Sequence, residues 1–205
     1  LRIGPGLDGG QVFMDHRNAD GSAPQMCGNG IRVVAKHVLD HGLVEADSHG
    51  VVRITTRSGV KDVTVQRDRD GRVAEVTVDM GPPILDPARI PFQADDPTAL
   101  LHTVTVDEDR DGGEAAPRVE LAVVSMGNPH GVLLVDDVDA APVAELGPKL
   151  EGHRRFPEKA NIGFAQVVDR SRIRLRVFER GVGETAACGT GASAAVVALQ
   201  RLGKL

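Results

Sequence analysis

MCGNGIRVVAKHVL, residues 26–39, places one of the chain's two cysteines directly before Gly-Asn-Gly and a helical pattern. Apolar residues recur in this pattern at i, i+3 and i+4 spacing, which predicts one buried helix face. They are Ile31, Val34, Ala35, Val38 and Leu39. Gly42 stands where a C-terminal cap belongs. The first N–H groups of a helix lack intrahelical acceptors, so they attract anions and favour a thiolate. For one isolated copy, however, a buried structural cysteine beside a glycine turn is the favoured interpretation.

A second copy of the pattern reverses that interpretation. The segment ERGVGETAACGTGASAAVVALQRLG, residues 179–203, contains the other cysteine, Cys188, which again precedes Gly-x-Gly. The Ala/Val-rich run over 192–202 predicts a helix that is apolar nearly all round, so we expect protein on every side of it. A polar residue stands nine positions before each cysteine, Asn18 before Cys27 and Glu179 before Cys188, and each follows an alternating strand pattern. We infer an internal duplication of one strand–loop–helix unit.

The composition of the 205 residues excludes several classes of protein. The net charge is −5 and there is no Trp or Tyr, which leaves little for stacking bases or gripping a phosphate backbone, so no nucleic-acid partner is expected. No apolar run is long enough to span a bilayer and no signal-peptide pattern is present, so no membrane partner is expected either. We therefore expect a cytoplasmic protein whose thiols stay reduced.

Most of the chain between the two cysteine segments predicts strands. Alternating runs separated by turn signals occupy residues 51–56, 60–66, 73–79, 102–107, 119–125, 131–137 and 161–168. Residues 139–152 predict one short outer helix, and the polar residues 107–118 an exposed hairpin tip. Four prolines in residues 79–92 mark a boundary near residue 81, which predicts domains 1–81 and 82–205. The fold class is therefore α/β of the α+β type, although the sheet order cannot be derived.

Two thiols at two helix starts allow three interpretations. A disulfide is disfavoured by a reducing compartment and leaves the glycine patterns unexplained. A metal site is weak because the sequence has no C-x-x-C spacing and two cysteines are too few ligands. The third interpretation is acid–base chemistry, because a helix start can bring the pKa of a thiol towards neutrality.

Acid–base chemistry also explains the duplication. Thiols on opposite faces of one carbon could remove a proton from one face and return one to the other, which inverts the centre. The N–H groups at both helix starts could then hold the substrate carboxylate and stabilise the negative charge that spreads into it.

Four segments resemble the diaminopimelate epimerase family: NADGSAPQMCGNGIR (18–32), MGNPH (126–130), NIGF (161–164) and ERGVGETAACGTGA (179–192). They occur in the family's order through nearly the whole chain. The resemblance implies conversion of LL- to meso-2,6-diaminopimelate, on the route to lysine and peptidoglycan precursors, without pyridoxal phosphate or metal. Proline racemases and hydroxyproline epimerases share the paired cysteines, but a segment like ERGVGET does not precede their second cysteine. The diaminopimelate branch is therefore favoured.

The resemblance also implies a role for each matching residue. Cys27 and Cys188 are the base and the acid, and exchange roles with reaction direction. The reacting carboxylate is bound by Gly28, Asn29, Gly189 and Thr190. The far end of the substrate is gripped by Asn18, Asn161 and Arg180, while Asn128 and Glu179 complete the site around its ammonium groups. His130 and Glu179 tune the pKa of the thiols. Ordinary structural roles are open for several of these residues: a turn at Asn18, turn chemistry at Asn128, a polar loop at His130, and an exposed ion pair between Glu179 and Arg180.

The fold implied by the resemblance is two similar mixed-sheet domains, each wrapped around a central helix and related by a pseudo-twofold duplication. A homodimer acting on a small amino-acid substrate is expected. The family also has an N-terminal segment with an Asn and a Gln ligand, and closing strands after the second helix, which this sequence lacks. The first domain is thus expected to be incomplete at its start and the second at its end. A non-catalytic fragment that has kept the motifs stays an alternative.

Overall fold

The computed structural model describes residues 1–18, 21–107 and 116–205. The backbone contacts divide the chain into two compact units, Leu1–Gly81 and Pro82–Leu205. Each unit contains one mixed sheet, and the described residues form three α-helices in all. These elements confirm the predicted α+β fold class with two mixed-sheet halves.

The first unit is a five-stranded sheet with one helix. Its elements are β1 (Arg2–Pro5), β2 (Val12–Asp15), α1 (Gly28–Asp40), β3 (Val51–Thr56), β4 (Gly59–Arg67) and β5 (Val73–Val78). The strands lie in chain order, and every neighbouring pair is antiparallel except β2 and β3. Helix α1 connects this parallel pair, as a crossover connection requires. The crossover therefore fixes where α1 starts, and Cys27 with it.

Helix α1 buries the face that its periodicity predicts. All five apolar residues of the pattern are buried, and Ile31, Val34 and Val38 pack in one core with Ile54 and Val63 of the sheet. The helix ends as expected: Gly42 has a φ of +63° just beyond it, a left-handed conformation that glycine adopts without steric cost.

The second unit is a six-stranded sheet with two helices. Its elements are a 3₁₀ turn (Pro87–Arg89), β6 (His102–Thr105), β7 (Arg118–Ser125), β8 (Pro129–Leu134), α2 (Val143–Glu151), β9 (Asn161–Asp169), β10 (Arg172–Glu179), β11 (Gly183–Thr185) and α3 (Gly189–Arg201). The order is β11-β10-β9-β8-β7-β6, and only β8 and β9 run parallel, with α2 as their crossover. The register of this parallel pair places His130 opposite Asn161.

Helix α3 packs one side against β7, β8, β9 and β10. Ala194, Ala195, Ala198 and Leu199 are buried there, whereas Val196 on the other side is 38% exposed. The expectation that this helix is enclosed on every side is therefore wrong for the part of the chain that the structure describes. An all-apolar surface indicates a helix suited to burial, but it does not say which elements cover each side.

The predicted strands and helices between the cysteine segments are all present, with ends displaced by a few residues. Strands β1 and β11 were missed because they are short and rich in glycine, proline or polar residues. Residues 108–115 of the expected hairpin tip lie outside the described residues, although β6 and β7 on either side pair antiparallel from Thr105 and Arg118.

Candidate active site

Both cysteines cap a helix with their sulfur. Cys27 is the N-cap of α1 with φ and ψ of −141° and 107°, and Cys188 is the N-cap of α3 with −130° and 108°. The Cys27 Sγ accepts the backbone N–H of Gly30 at 3.2 Å, and the Cys188 Sγ accepts that of Gly191 at 3.4 Å. The duplication inferred from the sequence thus extends to the cap geometry of two half-buried cysteines, neither of which forms a disulfide.

Sequence reasoning missed Gly30 and Gly191, the second glycines of the two motifs. Their N–H groups are the ones that bond the sulfurs, and both residues are buried. A Cβ added at Gly191 would lie 3.2 Å from the Cys188 Sγ and 3.1 Å from the Val177 Cγ2. One at Gly30 would lie 3.2 Å from the Cys27 Sγ. The signal was available, because an N-cap side chain bonds the third helical residue, and here that residue is glycine in both copies.

We expect Gly191→Ala to lower activity without unfolding the protein. The added methyl group crowds the Cys188 sulfur, while the gain in helix propensity of up to about 1 kcal/mol offsets the strain of packing against Val177. Turnover and melting temperature should be measured together, with Ala192→Gly as a control that changes propensity on the exposed side of α3. Unchanged turnover would mean that the sulfur tolerates the methyl group.

The surroundings of Cys188 favour the thiol. The pKa of Cys188 is raised to about 11, chiefly by burial; hydrogen bonds from Thr190 and Gly191 lower it, and the neighbouring Glu179 carboxylate raises it. The Thr190 Oγ1 lies 3.5 Å from the sulfur. The expectation that a helix start brings this pKa towards neutrality is therefore wrong for Cys188, because burial outweighs the helix N-terminus. At neutral pH Cys188 is therefore in the thiol form.

The first turns of α1 and α3 both present backbone N–H groups. Gly28 and Asn29 occupy the first turn, where N–H groups lack intrahelical acceptors. The Asn29 Oδ1 accepts a hydrogen bond from the guanidinium of Arg32, and the Arg32 Nε donates to the Gly28 carbonyl at 3.2 Å. Gly189 and Thr190 hold the equivalent positions at the start of α3, where Gly189 is exposed and Thr190 is buried.

His130 and Asn128 form a buried polar pair. The His130 Nε2 lies 3.1 Å from the Asn128 Oδ1. Because an amide oxygen only accepts, Nε2 carries the proton, which leaves Nδ1 as an acceptor. Burial lowers the pKa of His130 to about 3, and the positive charge of Arg180 contributes in the same direction. His130 is therefore a neutral imidazole throughout the physiological pH range.

The Asn161 side chain forms hydrogen bonds with the backbone of two other segments, one at Pro129 and one at Arg180. Its Nδ2 donates to the Pro129 carbonyl at 3.0 Å, and its Oδ1 accepts the backbone N–H of Arg180 at 3.0 Å. The Arg180 Nη1 donates to the Glu158 carbonyl at 3.0 Å, and the Glu151 carboxylate accepts the N–H of Gly181 at 2.8 Å. The second unit therefore brings Asn128, His130, Asn161, Glu179, Arg180 and Cys188 into one connected region.

Asn18 lies in a turn of the first unit. Its backbone N–H donates to the Ser22 carbonyl at 2.9 Å, and its Nδ2 donates to the Ser22 Oγ at 3.0 Å. These bonds are turn chemistry of the kind that the sequence left open for this residue. Asn18 lies between β2 and Cys27 along the chain.

Neither a metal cluster nor a membrane span is found in the part of the chain that the structure describes. No three histidine, cysteine, aspartate or glutamate side chains among residues 1–18, 21–107 and 116–205 lie together as metal ligands. No helix formed by these residues has the length and apolarity needed to cross a membrane.

A sequence model of diaminopimelate epimerase matches residues 3–85 and 122–205, which include both cysteine segments. The chain belongs to the diaminopimelate epimerase family. A diaminopimelate epimerase of Azotobacter vinelandii is 55% identical over 186 residues, which cover 91% of this chain and 61% of that relative. One of Acidovorax ebreus is 49% identical over 210 residues, with 100% and 68% covered. The chain thus spans about three fifths of the length of the first of these family members.

The solved structures show how widely the fold of this epimerase family is shared. The crystal structure of a hydroxyproline epimerase from Agrobacterium vitis, with bound trans-4-hydroxy-L-proline, matches 99% of this chain and 60% of its own with a TM-score of 0.69. The sequence identity is 19%, so the match establishes the fold alone.

Proposed function

We propose that the protein carrying this chain interconverts LL- and meso-2,6-diaminopimelate by a cofactor-independent reaction with two cysteine bases. The observation that supports this most is the pair of thiols that cap helices α1 and α3 in matching geometry. The match to the family along both cysteine segments supports the choice of substrate.

The reaction needs one proton acceptor and one proton donor. A thiolate at one cysteine takes the proton from the α carbon, and the electron pair of the broken C–H bond spreads into the carboxylate. The thiol at the other cysteine gives a proton to the opposite face, which inverts the centre and leaves the two cysteines with their protonation states exchanged. Cys188 rests as the thiol, so it is the donor in the direction for which Cys27 is the base.

The developing negative charge requires hydrogen-bond donors that are already oriented. In this proposal the backbone N–H groups of Gly28, Asn29, Gly189 and Thr190 bind the reacting carboxylate. They lie in the first turns of α1 and α3, where the helix dipole also favours an anion. Donors fixed in a helix need no reorganisation as the charge grows, and this replaces the electron sink that a cofactor would otherwise provide.

The far end of the substrate carries a second carboxylate and a second ammonium group. A guanidinium binds a carboxylate with two parallel hydrogen bonds, so Arg180 is the proposed partner of the distal carboxylate. Asn18 and Asn161 are proposed to bind the same end of the substrate. Asn128 and Glu179 supply the oxygens for the ammonium groups. Asn161 also has a positioning role here, because it bonds the backbone of Arg180.

His130 and Glu179 are the proposed modulators of the thiols. Glu179 acts directly, since its carboxylate raises the pKa of Cys188. His130 is neutral and buried, and its Nε2 is engaged by Asn128. In this proposal His130 therefore acts on the thiols as a fixed, neutral dipole, and it also orients Asn128.

Family membership also bears on the metabolic role of the protein, its two units and its assembly. Family membership supports a role in forming precursors of lysine and peptidoglycan, and a small amino-acid substrate. We infer that the two compact units each carry one member of the catalytic pair and that each is incomplete relative to the family's domains. A homodimer in the cytoplasm stays a prediction.

The test is inversion in deuterated water. Purified protein with LL-diaminopimelate should give the meso form with one deuterium at the inverted α carbon, because the proton that is returned comes from a thiol in exchange with solvent. Mass spectrometry and chiral chromatography measure both changes, and LL-diaminopimelate incubated without protein is the control. Turnover of L-proline or hydroxyproline in place of diaminopimelate would favour the racemase alternative. A folded protein inactive on all of these substrates would indicate a non-catalytic chain.

A further inference from the structure

The hairpin of β10 and β11 places Thr185 beside Glu179. Its register pairs Val177 with Thr185 and Glu179 with Gly183, so Thr185 and Glu179 are diagonal neighbours on one face of the sheet. The Thr185 hydroxyl donates a hydrogen bond to the Glu179 Oε1. Val177, on the same face, reaches the start of α3, where its Cγ2 would lie 3.1 Å from a Cβ at Gly191. The Thr185–Glu179 pair therefore faces the end of α3 that Cys188 caps.

Glu179 is the charged group that the structure places against the Cys188 thiol. The other groups around the sulfur are the neutral Thr190 hydroxyl and the Gly191 N–H. A glutamate at the end of a strand has three rotatable side-chain bonds, and a hydrogen bond to one oxygen selects one of the possible orientations. With Oε1 engaged by Thr185, the carboxylate is held in the orientation that reaches the thiol.

We propose that Thr185 is a positioning residue that holds the Glu179 carboxylate against the Cys188 thiol. Its consequence for catalysis rests on the proposed function, whereas its effect on the thiol does not depend on any substrate. When Thr185 is removed, the carboxylate gains freedom and spends less time beside the sulfur. The thiolate is then repelled less, so Cys188 should ionise more readily.

The experiment measures the titration of Cys188 in a Cys27→Ala background, in which it is the one cysteine left in these 205 residues. The rate of alkylation by iodoacetamide is followed as a function of pH. We expect Thr185→Val to lower the apparent pKa of Cys188 by about half a unit or more, because a neighbouring negative charge has been loosened. Thr185→Ser keeps the hydroxyl and should titrate like the parent. Thr185→Ala replaces the valine variant if circular dichroism shows that the latter does not fold.

A double-mutant cycle with Glu179→Gln separates this role from general packing. If Thr185 acts through the carboxylate, Thr185→Val should change the apparent pKa of Cys188 in the parent and leave it unchanged in the Glu179→Gln background. An unchanged or raised pKa in the single valine variant, or the same shift in both backgrounds, would overturn the proposal. Because no substrate is present, failure of the proposed epimerisation would leave this result intact.

Discussion

Replacement of either cysteine by alanine should abolish epimerisation, because in the proposed mechanism each thiol serves one face of the α carbon. We expect Cys27→Ala and Cys188→Ala each to lower the rate of inversion by about a thousandfold or more, the scale of a lost general acid or base. The double variant should be hardly worse than either single one, since the two thiols act as a unit. Conversion of LL- to meso-diaminopimelate is the measurement. Exchange of the α hydrogen without inversion is the residual activity that we expect from a single variant.

Serine variants are the matched controls for this prediction. Alanine removes both the thiol and the helix cap, whereas Cys27→Ser and Cys188→Ser keep an oxygen acceptor for the N–H of Gly30 or Gly191. Loss of inversion in both series, with the serine variants at least as stable as the parent, would assign the effect to thiol chemistry. Inversion at the normal rate by any single variant would rule out the two-base mechanism.

Arg180→Lys is expected to lower the turnover while the protein stays folded. Lysine keeps the positive charge but loses the planar fork that binds a carboxylate with two hydrogen bonds. We expect turnover of LL-diaminopimelate to fall by more than about tenfold, which corresponds to about 1.4 kcal/mol of lost transition-state stabilisation. The side chain is half-buried, so its replacement leaves no large cavity. Steady-state kinetics and the melting temperature are measured on the same preparation.

Arg174→Lys is the control for a lost arginine fork. Arg174 lies on β10, the strand that ends just before Arg180, and it bonds both oxygens of Asp139, at 2.8 and 2.9 Å. The side chains of this pair are 49% and 67% exposed. An exposed pair of this kind contributes little to stability, so this variant should keep its turnover. Equal losses in the two variants, or a loss in Arg180→Lys that follows unfolding, would mean that Arg180 has a structural role only.

The periodicity of apolar residues predicted most helices and strands, because burial of one face is the main cause of each pattern. The i, i+3, i+4 spacing of Ile31, Val34 and Val38 reflects a helix with one buried face, and that face is the one found in the core. Sheet order has no such local cause. It depends on which strands meet across the crossovers of α1 and α2, and the strands themselves do not encode the choice.

The sequence predicted where two helices start, but not the electrostatics around them. The two Cys-Gly-x-Gly segments indicated helix starts at Cys27 and Cys188, and α1 and α3 begin there. The pKa of Cys188 could not be predicted, since it depends on burial and on the position of Glu179 across a hairpin. The sequence likewise gave no sign that the nitrogen and the oxygen of the Asn161 side chain both form hydrogen bonds with the backbone.

The sulfur caps imply a conflict at both helix starts between the stability of the helix and the presence of a reactive thiol. Serine, aspartate and asparagine are the preferred N-cap residues, and a good cap contributes about 1 kcal/mol relative to alanine. Sulfur is a weaker acceptor than oxygen, so a chain selected for stability alone would not place cysteine there. A thiol at the capping position therefore stabilises the first turns of α1 and α3 less than serine or aspartate would. Because each sulfur caps a helix, alkylation of either cysteine would remove a helix cap together with a proposed catalytic thiol.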